Sequence, residues 1–253
     1  MPRLRSIAAV VLVAATALPV PALAQQQQPP AAPVKPYKSV MVSPPVETKD
    51  ADLAALRSKI IETAKARDRA ALGRLVVTKN FFWEREGGST AARDRPGLDI
   101  LSSALGLSNK DAVGWDMLGA YADDTTASPS ETRKGALCAP ADPRFDGKAF
   151  DALLKDTQTD MSEWGYPLSP GIEVHATPQA IAPVVDRLGL TFVRVLAETG
   201  TANPAYLHVL TPSGKGGYVT IDSIAPLGND QLCFVKEGGA WKIGGYIGAG
   251  EPQ

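Results

Sequence analysis

Between residues 49 and 165 the apolar positions recur mostly at helical spacing. Leu53, Leu56, Ile60 and Ala64 stand three and four residues apart, which places them on one helix face. Asp68 has the character of an N-cap for a second short helix carrying Leu72, Leu75 and Val76. Further helices are predicted over Leu98–Leu107, Val113–Ala122 and Gly147–Lys155, the last with Phe150, Leu153 and Leu154 inward. An aromatic knot, Phe81-Phe82-Trp83, and two loops of turn formers, Glu86–Gly97 and Asp123–Gly135, interrupt them. From Tyr166 the pattern changes. Short apolar or alternating runs occur at Ile172–Val174, Thr191–Leu196, Ala205–Leu210, Tyr218–Ile221, Gln231–Val235 and Trp241–Ile247, separated by Gly, Pro, Asn and Ser. Such spacing predicts short antiparallel strands in a small barrel or sandwich. No helical run of crossover length divides them, which argues against a parallel sheet.

The first 48 residues have a different texture. Arg3 and Arg5, an apolar run from Ile7 to Val20 and the small-residue site Ala22-Leu23-Ala24 have the layout of a secretory signal peptide, with cleavage expected after Ala24. The run is shorter than a spanning helix wants, so an uncleaved anchor is the lesser alternative. Gln25 to Thr48 is rich in Pro and Gln and reads as a disordered or polyproline-type tether, with an edge strand through Ser39 to Val42 as the alternative. The expected organisation is therefore a signal peptide over 1–24, a tether over 25–48, a helical domain over 49–165 and a β domain over 166–250. The expected fold class is α+β, with a mostly helical N-terminal domain packed against a C-terminal antiparallel barrel.

Charge excludes more than it identifies. Removing Arg3 and Arg5 leaves 24 basic against 27 acidic residues, a net charge of −3. That balance gives no footprint for nucleic acid or an anionic membrane surface. The cysteines are more informative. Cys138 and Cys233 are the only pair, and an exported chain predicts a disulfide between them; two separate buried thiols are the alternative.

The β half also resembles the bacterial SH3-like domain (SH3b) of exported envelope proteins of an alphaproteobacterial type. Gly171-Ile172-Glu173-Val174-His175-Ala176-Thr177-Pro178 is similar to that family's opening strand and turn. Ala182-Pro183-Val184-Val185 with Leu188-Gly189 is similar to the approach to its second strand, and Phe192-Val193-Arg194-Val195 to the strand itself. Gly214-Lys215-Gly216-Gly217-Tyr218-Val219 is similar to its late strand, and DQLCFVKEGGAWKIGGYIGAG to the terminal hairpin of such proteins. The likeness spans about residues 166 to 250. His175 departs from it, standing where the family most often has arginine. The resemblance implies an SH3-like barrel, a periplasmic location and a non-enzymatic contact role. Its partner would be peptidoglycan, a peptide or an envelope protein, and no cofactor is expected. A barrel that has lost binding is a further alternative. The opening of the helical half is weakly similar to cone-shaped nuclear-transport-factor-like folds, but the strands such a fold needs do not follow.

Candidate chemistry is sparse. His175 and His208 fall inside strand-like runs with no metal-ligand spacing between them, and read as residues of the barrel. Ser213-Gly214-Lys215-Gly216 lacks the phosphate-loop pattern and reads as a hairpin turn. Cys138 could serve as a nucleophile of the kind found in cell-wall endopeptidases that carry SH3-like modules, but the helical half holds no histidine to activate it. The acids Asp142, Asp146, Asp151, Asp156 and Asp160 lack calcium-loop spacing and read as caps and solvated faces. Trp241 and Tyr218 are expected to fill the core. Tyr166 and Tyr206, beside turns, are the candidates for ligand contact on the surface. The competing hypothesis is a hydrolytic enzyme with a site around Phe81-Phe82-Trp83-Glu84 and Asp116.

Overall fold

The computed structural model describes residues 35–85, 88–89, 94–197 and 203–248. The expected signal peptide, the tether up to residue 34 and half of the Glu86–Gly97 loop lie outside these residues.

The helical spacings form helices at the expected places. α1 (Ala51–Ala66) is capped by Asp50, whose side chain accepts from Leu53 N, and buries Leu53, Leu56, Ile60 and Ala64. α2 (Arg69–Leu75) is capped by Asp68, which accepts from Ala71 N at 2.9 Å. α3 (Gly97–Leu105) and α4 (Val113–Asp123) complete this group. α5 (Gly147–Thr157) is capped by Asp146 and buries Phe150 and Leu153.

The fold class differs from expectation in two respects. Among the described residues none of the three sheets closes into a barrel, and the N-terminal half is not a mostly helical domain. α1 to α4 cover a six-stranded sheet whose central strands come from the chain's C-terminal end. Ala240–Ile247 pairs antiparallel with Gln231–Glu237 and parallel with Phe82–Arg85; Gln231–Glu237 also pairs with Leu137–Ala139. The terminal hairpin, assigned by sequence to the C-terminal barrel, is thus the centre of the first lobe. Its burial explains this. Leu232, Phe234, Ile243 and Tyr246 are fully buried in one core with Ile60, Leu72, Leu101 and Leu118 from the helices. A strand so apolar needs cover that helices provide.

The second lobe holds a seven-stranded antiparallel sheet with the order Ile224–Pro226, Trp164–Pro167, Val193–Val195, Tyr206–Leu210, Gly216–Thr220, Ile172–His175, Val184–Leu188. Val174, Leu188, Val193, Val209, Val219 and Ile224 form its inner core. A separate aromatic core joins α5 to this sheet: Phe150 lies 4.4 Å from Phe192 and 6.3 Å from Trp164, ring centre to ring centre. Val40 and Val42 are buried in it, and Val42–Ser43 pairs with Arg144–Phe145. Residues 35–43 therefore lie against the second lobe before the chain crosses to α1.

Candidate functional site

A concavity lies where the segment Lys35–Lys38, α5 and the seven-stranded sheet meet. It has a volume of about 550 Å³ and is open to solvent, a size in the range of small-molecule and peptide pockets. Tyr37 fixes one wall. Its hydroxyl donates toward the carbonyls of Leu210 at 2.9 Å and Phe192 at 3.2 Å, and its backbone N–H reaches Pro212 O at 3.2 Å. Its ring stands edge-on to Trp164 at 5.0 Å, and burial pushes the phenol pKa well above its ordinary value. Anchoring Tyr37 in this way places its neighbours Lys35 and Lys38, both exposed, along the rim.

The opposite wall is one face of α5. Ala149, Ala152, Leu153, Asp156 and Thr157 follow each other at helical spacing. The helix turns this face to the groove because Phe150 and Leu153 are held in the aromatic core. Two alanines keep the wall shallow, and Asp156 places a carboxylate on it.

Arg194 forms the floor with Leu210. Its guanidinium is positioned in two steps. Glu163 Oε2 accepts from Arg194 Nη2 at 2.6 Å and Nε at 3.1 Å. The other oxygen of Glu163 accepts from Asp160 N at 3.3 Å, inside the capping box of the Met161–Glu163 turn. Arg194 is paired yet still about a third exposed. Three cations and one carboxylate thus line a groove that also has apolar lining from Ala149, Ala152, Leu153 and Leu210.

The residues singled out by sequence fall elsewhere. Cys138 and Cys233 are joined by a disulfide between directly opposed residues of neighbouring strands in the first lobe. Tyr166 is 2% exposed and belongs to the aromatic core. Burial, with the repulsion of Asp142 and Asp124, raises its pKa to about 12. Tyr206 is half-buried at the start of the Tyr206–Leu210 strand. His208 and His175 both register opposite Tyr218, on the same face of the sheet. His208 stacks on Tyr218 at 4.7 Å, and His175 Nδ1 is 2.9 Å from Ala182 O. Among the described residues no cluster of His, Cys, Asp and Glu could hold a metal ion.

Glu84 and Asp116 are not brought together. Glu84 is paired with Arg133 at 2.5 Å and accepts from Thr132 at 2.7 Å. Asp116 lines a smaller cleft of about 290 Å³ between α1 and α4, to which Glu84 does not contribute. Ser213 and Thr211 donate to Asp186 Oδ2 at 2.7 and 2.8 Å, so the glycine-rich turn is a closed hydrogen-bonded corner.

Sequence reasoning noted Arg194 only as part of a strand, and Asp156 only as a solvated acid. Nothing local marks the groove, because its walls come from separate stretches of the chain, residues 35–38, 149–157, 194 and 210. A comparison with family models finds no match, and comparisons with curated proteins and with solved structures find none either.

Proposed function

We propose that this chain is a non-enzymatic binding protein of the periplasm, exported by its N-terminal segment, whose groove at Arg194 seats a component of the cell envelope. The observation that carries the reading is the positioned guanidinium of Arg194 at the floor of an open, partly apolar groove. Pre-ordering a polar group in a concave site lowers the cost of ordering it on binding. Two further observations support the location. The chain carries a disulfide, which persists in oxidising compartments. No helix among the described residues is long and apolar enough to cross a membrane.

The test is retention of the purified chain, without residues 1–24, on purified cell wall and on an immobilised envelope extract at low salt. Retention on either that is lost with Arg194→Gln supports the proposal. Failure to be retained on both removes it. Release of new peptide or sugar ends during the incubation would replace it with the hydrolytic alternative.

A further inference from the structure

We infer that the Arg194 groove takes a short extended peptide by its terminal carboxylate, a ligand class that rests on the binding reading above and narrows it. Three features of the groove point to this chemistry. A guanidinium carries five N–H donors in a planar fork suited to a carboxylate. Glu163 takes donors at Nε and Nη2 only, which leaves those at Nη1 to a ligand. Lys35 and Lys38, on the segment anchored by Tyr37, add positive charge to the rim. A carboxylate placed at Arg194 therefore meets an excess of cations.

The rest of the groove disfavours a compact inorganic anion as the whole ligand. Its volume of about 550 Å³ extends along α5, over Ala149, Ala152 and Leu153. That surface is apolar and has small side chains, so it suits methyl groups and backbone rather than a charged sphere. Asp156 then stands on the α5 wall as an acceptor for an ammonium or amide N–H of the same ligand. A peptide with small side chains offers a carboxylate, an apolar body and an N–H donor together. Peptides released from the cell wall and peptides released from proteins share this chemistry.

The experiment is a calorimetric titration of the chain without residues 1–24, using tetraalanine with a C-terminal carboxylate and tetraalanine amide. Soluble peptide fragments of purified cell wall form a separate arm that distinguishes the two sources. Saturable binding of the acid is expected, with the amide about tenfold weaker or more, as for loss of one charge-assisted contact. Arg194→Gln should abolish binding. The double variant Lys35→Glu, Lys38→Glu changes exposed side chains only and should weaken it while leaving the melting temperature unchanged. Equal binding of acid and amide overturns the inference, as does unaltered binding by Arg194→Gln with a wild-type melt. A chain that is retained on cell wall or envelope extract but binds no peptide overturns this inference and leaves the binding reading standing. A chain that does neither overturns both.

Discussion

Gly217 shows how tightly single residues are constrained in the second lobe. A Cβ there would lie 2.6 Å from Val174 Cγ1 and 2.7 Å from the carbonyl oxygen of His175 on the neighbouring strand. Backbone cannot yield as a side-chain tip does, so Gly217→Ala should cost about 1–3 kcal/mol, as overpacking commonly does. A shift in denaturant midpoint measures it, and an unchanged midpoint would show that the strands can separate there. Asp186 is constrained by charge. Its partial burial acts to raise the pKa, but the hydrogen bonds from Ser213, Thr211 and Arg187 N outweigh it and leave the pKa below the ordinary carboxylate value. A depressed folded pKa means stability that is present above the unfolded value and lost as pH falls through the folded one. Asp186→Asn should therefore lower stability at neutral pH, and the gap from wild type should close as the medium is acidified below the usual carboxylate range. Equal stability of the two proteins at pH 7 would count against this. At this scale the sequence was legible where one letter has one mechanism: Asp50, Asp68 and Asp146 cap helices as their positions imply. It was not legible for Tyr166, because a tyrosine beside a turn can face water or core, and only the arrival of α5 and residues 35–43 buries it.

At the scale of elements, the five helices follow from their spacing, whereas several strands do not. Phe82–Arg85 and Leu137–Ala139 have four and three residues, too few to display a period of two. Trp164–Pro167 is buried at every position, so it does not alternate at all. These segments decide the architecture, since the first two flank the terminal hairpin and draw it away from the second lobe. α5 is the element on which the candidate groove depends. Phe150 holds it to Phe192 and Trp164 while its neighbouring face lines the groove. Phe150→Ala should cost about 3–5 kcal/mol, the range for truncating a buried aromatic. In conditions where the variant remains folded it should also bind wall or peptide more weakly, because the α5 wall loses its seat. Full affinity in a destabilised but folded Phe150→Ala protein would show that the groove does not need α5. The tyrosines of the two cores add a pH dependence. Burial raises the pKa of Tyr37, Tyr166 and Tyr246, reinforced at Tyr246 by its hydrogen bond to Asp230. A raised folded pKa stabilises below the unfolded value of 10.0 and loses that contribution as pH rises above it. Phenolate absorbance of these residues should therefore appear only together with unfolding at alkaline pH. Reversible titration of all six tyrosines near pH 10 in folded protein would contradict their burial.

Across the whole molecule, the second lobe is an insertion in the first. Residues 144–226 leave after the strand carrying Cys138 and return before the strand carrying Cys233. The disulfide closes the neck of that insertion. No pattern in the sequence reveals this, because both cysteines were legible as a pair while the partners of their strands were not. The arrangement makes the contribution of the disulfide a measure of cooperativity. The two cysteines are 95 residues apart, and in the chain-entropy model a loop of that length contributes about 4–5 kcal/mol when all of it unfolds. If the second lobe remained folded while the first opened, its own structure would hold the two ends of the insertion near each other. The effective loop would then be short, and the contribution would fall toward the roughly 3 kcal/mol of a 15-residue loop or less. Residues 35–43 pack on the second lobe and lead directly into α1, and Thr48 bonds to Thr125 N-terminal to the neck, so the lobes share chain at more than one place. We therefore expect one transition in guanidinium, coincident by tryptophan fluorescence and circular dichroism. It should move to lower denaturant in Cys138→Ala, Cys233→Ala by the larger amount. Two separated transitions, with only the first displaced, would show instead that the seven-stranded lobe folds without help from its neck.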